Sequence, residues 1–493
     1  MRRQSVGFPG AVMAAMIALG AFTACGESTP TPKTSKSAAK TAATTAAPPP
    51  VNTAGLQVSS GPSADSELSG DAKTAYDRGF QAWTQGDLPA AKTAFMDAAS
   101  RAPRAGGPRY SLGCVLERMG DTQGALDAYR AAYSANSKYD VAVGAYALLL
   151  ARSGRGSDAE QFLNGRGADS PRILTYLAEV KSIEGDSPGC QQLAQQALAK
   201  QPDFKDAMVV IARDYYRAHR WDLAKYALQA ILDGADDGSI PPRDRGNADG
   251  LLLRALIERE TGDRKHALTD FQSAVSRRPD LFEAYINLGE MKLEAGNATE
   301  AQSPLERAVR FAPNTAVAHL DLGDCYRLLG RPGDAKKQLD QAGGIDSTLA
   351  GVHYDLGLLY LFSPNVPGVT SQDDQIAKAI SELEAYRNMR NGRAAKGTGD
   401  DVDELISTAK RKQSELQLKK QAAAAPPPPA GGSGAPGPAP ATSAKPAGTG
   451  GGAPAPAPSA KGPAPTGQPG PTGPTGAAPA SSGGGNIVRE LPK

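Results

Sequence analysis

Small and large apolar residues recur in a fixed register through the middle of the chain. Gly79 and Gly113 lie 34 residues apart. Each is followed at equal offsets by Gly86 and Gly120, Ala91 and Ala125, Phe95 and Tyr129, and Ala98 and Ala132. The register returns at Gly289 and Gly323, again 34 apart, followed by Gly296 and Gly330, Ala301 and Ala335, and Ala308 and Ala342. A fixed period with small residues at fixed places predicts stacked helical hairpins rather than one closed core. Such stacks bind other proteins far more often than they catalyse.

Followed along the chain, the period marks nine hairpins in two blocks. The first block, 71–233, holds units at about 72–105, 106–139, 140–170, 171–204 and 205–233. The third unit is short, and the fifth has His219 where the turn glycine usually sits. A polar loop over 234–247 interrupts the register. The second block, 248–391, holds units at 248–281, 282–315 and 316–349 and a ninth from Ala350. The ninth has an expanded turn, Ser363 to Asp373, before a helix at 374–389. A charged helix at about 401–421 follows and would cap the stack, since an exposed solenoid end needs a polar outer face.

These positions resemble the tetratricopeptide repeat (TPR) family. Gly79, Gly86, Ala91, Phe95, Ala98 and Pro103 match its small residue in helix A, its turn glycine, its small and large residues in helix B and its terminal proline. The reasons are local. Small residues let the two helices approach closely, Phe95 fills the groove they leave, and proline ends helix B because it cannot continue the hydrogen-bond ladder. The expected fold class is all-α, a TPR helical-hairpin solenoid flanked by a disordered N-terminal tether and a disordered C-terminal Pro/Gly/Ala-rich tail.

Composition sharpens the boundaries. The chain has 493 residues with 55 Gly, 39 Pro and only 5% aromatics, odd for one globular body unless Gly and Pro concentrate in segments that never pack. They do: residues 25–70 and 422–493 are dominated by Ala, Pro, Gly, Ser and Thr. Lys+Arg (54) nearly cancels Asp+Glu (52), so nothing points to a nucleic-acid partner held by bulk charge. Residues 1–24 read as a signal peptide, with Arg2-Arg3, a 13-residue apolar run over 10–22, and small residues before Cys25. The run is too short for a permanent transmembrane helix. The end of this segment resembles the lipobox of bacterial lipoproteins, although Phe22 replaces the usual aliphatic residue. That resemblance implies lipidation at Cys25 and anchoring to a membrane rather than spanning it. Gly26 in place of Asp resembles outer-membrane rather than inner-membrane sorting. The flexible segment after Cys25 has a reach of about 35–40 Å.

Candidate chemistry is sparse. Gly185-Asp186-Ser187-Pro188-Gly189 matches the nucleophile-elbow pattern but falls on the hairpin turn of the fourth unit, without the strand that chemistry needs. His219, His266, His319 and His353 sit in four different units and form no metal-ligand spacing. Cys114, Cys190 and Cys325 are far apart along the array, so they read as small buried apolar residues. No cofactor, metal or catalytic residue is expected, and the chain is not expected to be an enzyme.

The TPR resemblance implies a concave surface lined by helix A. It places Tyr110, Arg213, Tyr216, Glu283, Glu290, Asp324, Arg327 and Tyr354 near that face, a mixture suited to an extended or helical peptide. The Lys–Asn pair of carboxylate-clamping TPRs is not seen. The segment Asn486–Lys493 escapes the low-complexity bias of the tail and is a candidate docking strand. The full layout resembles the TPR lipoproteins of the adventurous gliding-motility machinery of myxobacteria. That implies a scaffold for periplasmic or outer-membrane protein partners, facing the periplasm from the outer membrane. A pilotin-like assembly factor for a pilus or secretion channel, or the docking subunit of an envelope enzyme, are the alternatives.

Overall fold

The computed structural model describes residues 68–424, apart from 138, 168, 169, 236, 237, 240 and 391–400. Cys25, the apolar leader, almost all of the tether and nearly all of the tail lie outside the described residues. The described residues form nineteen helices and no strand. Eighteen pair as nine hairpins. The first five are α1 (Gly70–Gln85) with α2 (Leu88–Arg101), α3 (Gly106–Arg118) with α4 (Thr122–Ala135), α5 (Asp140–Arg152) with α6 (Gly156–Asn164), α7 (Pro171–Ile183) with α8 (Ser187–Lys200), and α9 (Lys205–Arg217) with α10 (Trp221–Leu232). The last four are α11 (Ala248–Thr261) with α12 (Arg264–Arg277), α13 (Phe282–Glu294) with α14 (Ala298–Phe311), α15 (Ala316–Leu328) with α16 (Pro332–Ile345), and α17 (Ala350–Phe362) with α18 (Gln372–Met389). The final helix, α19 (Val402–Ala424), runs three residues past its expected end. Among the described residues no helix is long and apolar enough to cross a membrane.

The repeated small residues do steric work. A Cβ on Gly113 would lie 2.4 Å from the Tyr129 ring, so only glycine lets α3 and α4 close on that tyrosine. Most turns between paired helices carry a glycine at positive φ, such as Gly120 at 79° and Gly330 at 69°. In the fifth hairpin His219 takes that conformation, at φ 56°, a strained place for a side chain with a Cβ. Four of the nine second helices begin on aspartate caps. Asp87, Asp121, Asp186 and Asp263 each accept a hydrogen bond from the amide three residues on, satisfying a donor the helix leaves free.

The loop at 234–247 breaks the period but not the core. Leu228, Ile231 and Leu232 on α10 share one apolar cluster with Leu251, Leu252 and Leu256 on α11. The Asp244 amide donates to the Ile231 carbonyl at 2.8 Å, and Arg243 donates to Asp203 at 3.0 Å and to the Ala230 carbonyl at 3.1 Å. The loop is thereby folded back and α11 stacks as the next first helix. The core parts elsewhere. One large apolar cluster ends at Val180 on α7 and the next begins at Val209 on α9. Only two small clusters, around Leu174 and Phe204 and around Cys190 and Val210, bridge them. From α13 onward a third cluster runs into α19, where Val402, Ile406 and Ala409 are buried.

Candidate partner-binding face

The first helix of each hairpin meets the first helices on either side, and charged side chains meet there. On α9, Arg213 is buried and its Nη1 donates to Glu179 Oε2 on α7 at 2.9 Å. Arg217 donates to the other Glu179 oxygen at 2.8 Å and to the Ser182 hydroxyl at 2.8 Å. Burial alone would raise the Glu179 carboxyl, but the two guanidiniums outweigh it and hold it down at about 2. Asp214 accepts from Ser182, Ser187 and Gln191. Polar groups thus lie beside the two small apolar clusters that bridge this joint.

Farther along, Arg259 on α11 donates to Glu290 on α13 at 2.7 Å. On α15, Asp324 accepts from Arg327 Nε at 3.0 Å. Asp321 lies beside Glu290, Asp324 and Asp355, and burial with these three carboxylates pushes its own carboxyl well above the usual range. Tyr354 on α17 donates to Asp401 at 2.9 Å and packs its ring 5.0 Å from Tyr386.

Of the residues expected on that face, Glu290 pairs with Arg259 of the preceding first helix and Tyr354 with Asp401 before α19, Asp324 and Arg327 pair within α15, and Arg213 is buried against Glu179. Tyr216 packs its ring 5.3 Å from Trp221, and burial pushes its hydroxyl to about 12. Tyr110 has no surface to offer. It is fully buried, 5.8 Å from the Tyr129 ring and 5.7 Å from that of Tyr139. The reason is Gly106 one turn earlier, whose missing Cβ lets Tyr139 close over the start of α3.

Glu283 occupies a site that the repeat pattern does not announce. It is 2% exposed and both its carboxylate oxygens lack a hydrogen-bond partner. Burial raises its carboxyl to about 7 against the pull of Arg118 and Arg278. Arg118 comes from α3, in the second hairpin. Its Nη2 lies 3.9 Å from Asp280 Oδ2, and its guanidinium carbon sits 4.5 Å from the Phe282 ring centroid and 6.0 Å from that of Trp83. Two turns abut alongside. A Cβ on Gly86 would meet the Arg310 side chain at 2.5 Å, and one on Gly120 would meet Asn314 at 2.6 Å. The second hairpin thus packs on the start of the seventh. Arg278 donates to both Asp249 oxygens, while Arg118 Nε and Arg278 Nε and Nη2 are buried without a hydrogen-bond partner among the described residues. The sequence carried one faint sign of such groups, a charge inside an apolar run, as with Glu179 between Ala178 and Val180.

The four histidines have structural partners. His319 contacts Gln338 and the Pro313 carbonyl, His353 contacts Glu382, His266 contacts Asp263, and His219 packs edge-on to Trp221. Ser187, the serine of the elbow-like motif, opens α8 and donates to Asp214 at 2.6 Å. Cys114, Cys190 and Cys325 are buried free thiols. Burial pushes Cys114 to about 12 and Cys325 to about 11. The charges along these first helices are mostly paired with one another, Glu179 with Arg213 in the core and Arg259 with Glu290 partly exposed.

Residues 76–141, 110–170 and 252–316 match one tetratricopeptide-repeat model, and residues 292–348 match another. These stretches carry TPR repeats. No curated protein matches the chain. Among solved structures, the chain is similar to one in the APC/C hetero-tetramer Cut9-Hcn1, at 14% identity and a TM-score of 0.47, covering 65% of this chain and 62% of that one. The aligned part is thus less than two thirds of that neighbour. It is similar to MamA at 17% identity and a TM-score of 0.29, covering 35% and 96%. A tetratricopeptide repeat protein from Parabacteroides merdae aligns at 16% identity and a TM-score of 0.28, covering 58% and 98%.

Proposed function

We propose that this chain is a non-enzymatic, lipid-anchored scaffold that holds protein partners in the periplasm of a Gram-negative bacterium. TPR repeats are protein-binding modules, and that part of the reading rests on the matched repeats. The observation that carries it is the meeting of charged side chains from successive first helices where they stay partly exposed, Arg259 with Glu290 and Glu294. A surface built from one or two residues per repeat suits an extended partner segment.

Anchoring rests on the leader and Cys25. The role within a cell rests on the layout of lipobox, tether, repeats and Pro/Gly tail, which favours an outer-membrane component of an envelope-spanning gliding-motility complex. Crosslinking from native envelopes, with Cys25→Ala as the control, tests anchor and partners together. The scaffold reading expects discrete partner adducts, and their dependence on Cys25 reports the anchor. In a deletion strain, loss of single-cell gliding with pili intact supports the motility role. Loss of secretin multimers with gliding intact replaces it with channel assembly.

A further inference from the structure

In a stack of repeats each hairpin is expected to touch only its neighbours. Here α3, in the second hairpin, also meets the turn that leads into α13, in the seventh. Arg118 reaches Asp280 at 3.9 Å and the Phe282 ring at 4.5 Å. The turns at Gly86 and Gly120 abut Arg310 and Asn314 because neither glycine carries a Cβ.

Two features make this seam unlike the rest of the packing. First, it is closed but unsatisfied. Among the described residues, Arg118 Nε, Arg278 Nε and Nη2 and both Glu283 oxygens are buried without hydrogen-bond partners, and Arg118 Nη2 and Asp280 Oδ2 face each other only across 3.9 Å. Parting the seam gives each of them water, whereas parting an apolar contact only exposes oil. Second, a polar joint lies between the two sides of the seam. Between Val180 and Val209 the apolar packing thins to two small clusters, around Leu174 and Phe204 and around Cys190 and Val210, and Glu179, Arg213, Arg217, Ser182 and Asp214 lie beside them. Hydrogen-bonded joints can exchange partners with water as they turn, while interdigitated apolar cores resist such movement.

We propose that hairpins one to seven form a hinged clasp, with the polar α7–α9 joint as hinge and the Arg118–Asp280–Phe282–Glu283 seam as latch. When the latch parts, Glu283 and Arg278 join the accessible inner surface. That this surface then receives a partner segment rests on the scaffold reading above. The motion itself does not.

The test uses the full chain and needs no partner. The position of a Cβ on Gly120 lies 3.7 Å from Asn314 Cβ, within disulfide range, so Gly120→Cys with Asn314→Cys should oxidise to a lock. Hydrogen exchange is followed in wild type, Arg118→Ala and Arg118→Ala with the lock. Residues 116–120 and 281–286 should exchange at least about tenfold faster in Arg118→Ala, with α5 and α15 unchanged. Oxidation should restore protection and reduction should remove it. The reduced cysteine pair with Arg118 intact is the reference for the locked variants, because a side chain at Gly120, φ 79°, carries a cost of its own. Spin labels at exposed Gln123 and Thr299 should show longer distances in Arg118→Ala, by more than about 5 Å, and the locked distance after oxidation. Failure of the pair to oxidise, or exchange in Arg118→Ala within about twofold of wild type, overturns the latch. Loss of protection along the whole array makes Arg118 an ordinary part of a cooperative fold. Faster exchange with an unchanged label distance overturns the hinge.

Discussion

The guanidinium of Arg118, at the end of α3, stacks on the ring of Phe282, the first residue of α13. The two residues belong to the second and seventh hairpins, so their contact ties together parts of the stack that nearest-neighbour packing leaves independent. Stability near the seam should therefore respond to changes in either hairpin. The groups around Glu283 set how that response varies with pH.

Glu283 should make the protein less stable as the solution turns alkaline. Its carboxyl sits at about 7 in the fold against an ordinary 4.5. The groups facing it are Arg118 from α3, Arg278 and Asp280 from the turn before α13, and Asp249 from α11. The folded form binds the proton more tightly than the unfolded form. The stabilising effect of that proton is fully present below pH 4.5 and is lost as pH rises through 7, a loss on the order of 3 kcal/mol. Glu283→Gln should remove this slope and raise urea resistance at pH 8. A variant less stable than wild type at pH 8 would show that the ionised carboxylate is a needed partner of Arg118.

Glu179 should behave in the opposite sense and in a different window. Its carboxyl is held at about 2, so its contribution is present above 4.5 and is lost as pH falls through 2. Glu179→Gln leaves buried Arg213 without its anion and should cost about 3–5 kcal/mol in urea denaturation at pH 7. Exchanging both Glu179 and Arg213 for Met should cost less than the sum of the single changes, because a buried pair removed together leaves no lone charge. Additive costs would mean the two residues do not act as a pair.

Repeat period, hairpin number and the close approach at Gly113 were all legible in the sequence, because each is written by residues within one hairpin. The meeting of Arg118 with Phe282 was not, since it joins residues from distant repeats and leaves no periodic mark. The parting of the core at α7–α9 was hidden for a related reason. Glu179 and Arg213 each replace a single apolar position in a different repeat, whereas the loop at 234–247 is conspicuous and yet leaves Leu228 and Leu252 in one core. Tyr110 was misplaced because the family frame gives helix position but not what covers it, here Tyr139 over Gly106.

Two glycine substitutions should separate crowding from backbone strain. Gly113→Ala puts a methyl 2.4 Å from the Tyr129 ring, and overpacking of this kind costs about 1–3 kcal/mol. Gly330→Ala meets nothing within 4 Å but must hold φ 69°, which costs about 1–2 kcal/mol. Adding Tyr129→Leu should relieve the first and leave the second unchanged. Thermal melts of the four variants read both effects, and rescue of Gly330→Ala by Tyr129→Leu would contradict the distinction.

His219 offers the reverse case, a residue whose removal should help. At φ 56° it fills the turn position that glycine holds in neighbouring hairpins. A left-handed conformation costs a residue with a Cβ about 1–2 kcal/mol. The ring recovers part of this by packing edge-on to Trp221 at 5.0 Å, an aromatic contact of about 0.5–1.5 kcal/mol. His219→Gly should therefore gain up to about 1 kcal/mol in denaturant unfolding, while His219→Ala, which keeps the strain and loses the ring, should lose a similar amount. The order Gly, His, Ala in decreasing stability is the expected outcome. If His219→Gly proves less stable than wild type, the contact with Trp221 outweighs the strain, and the histidine holds the fifth hairpin by its ring.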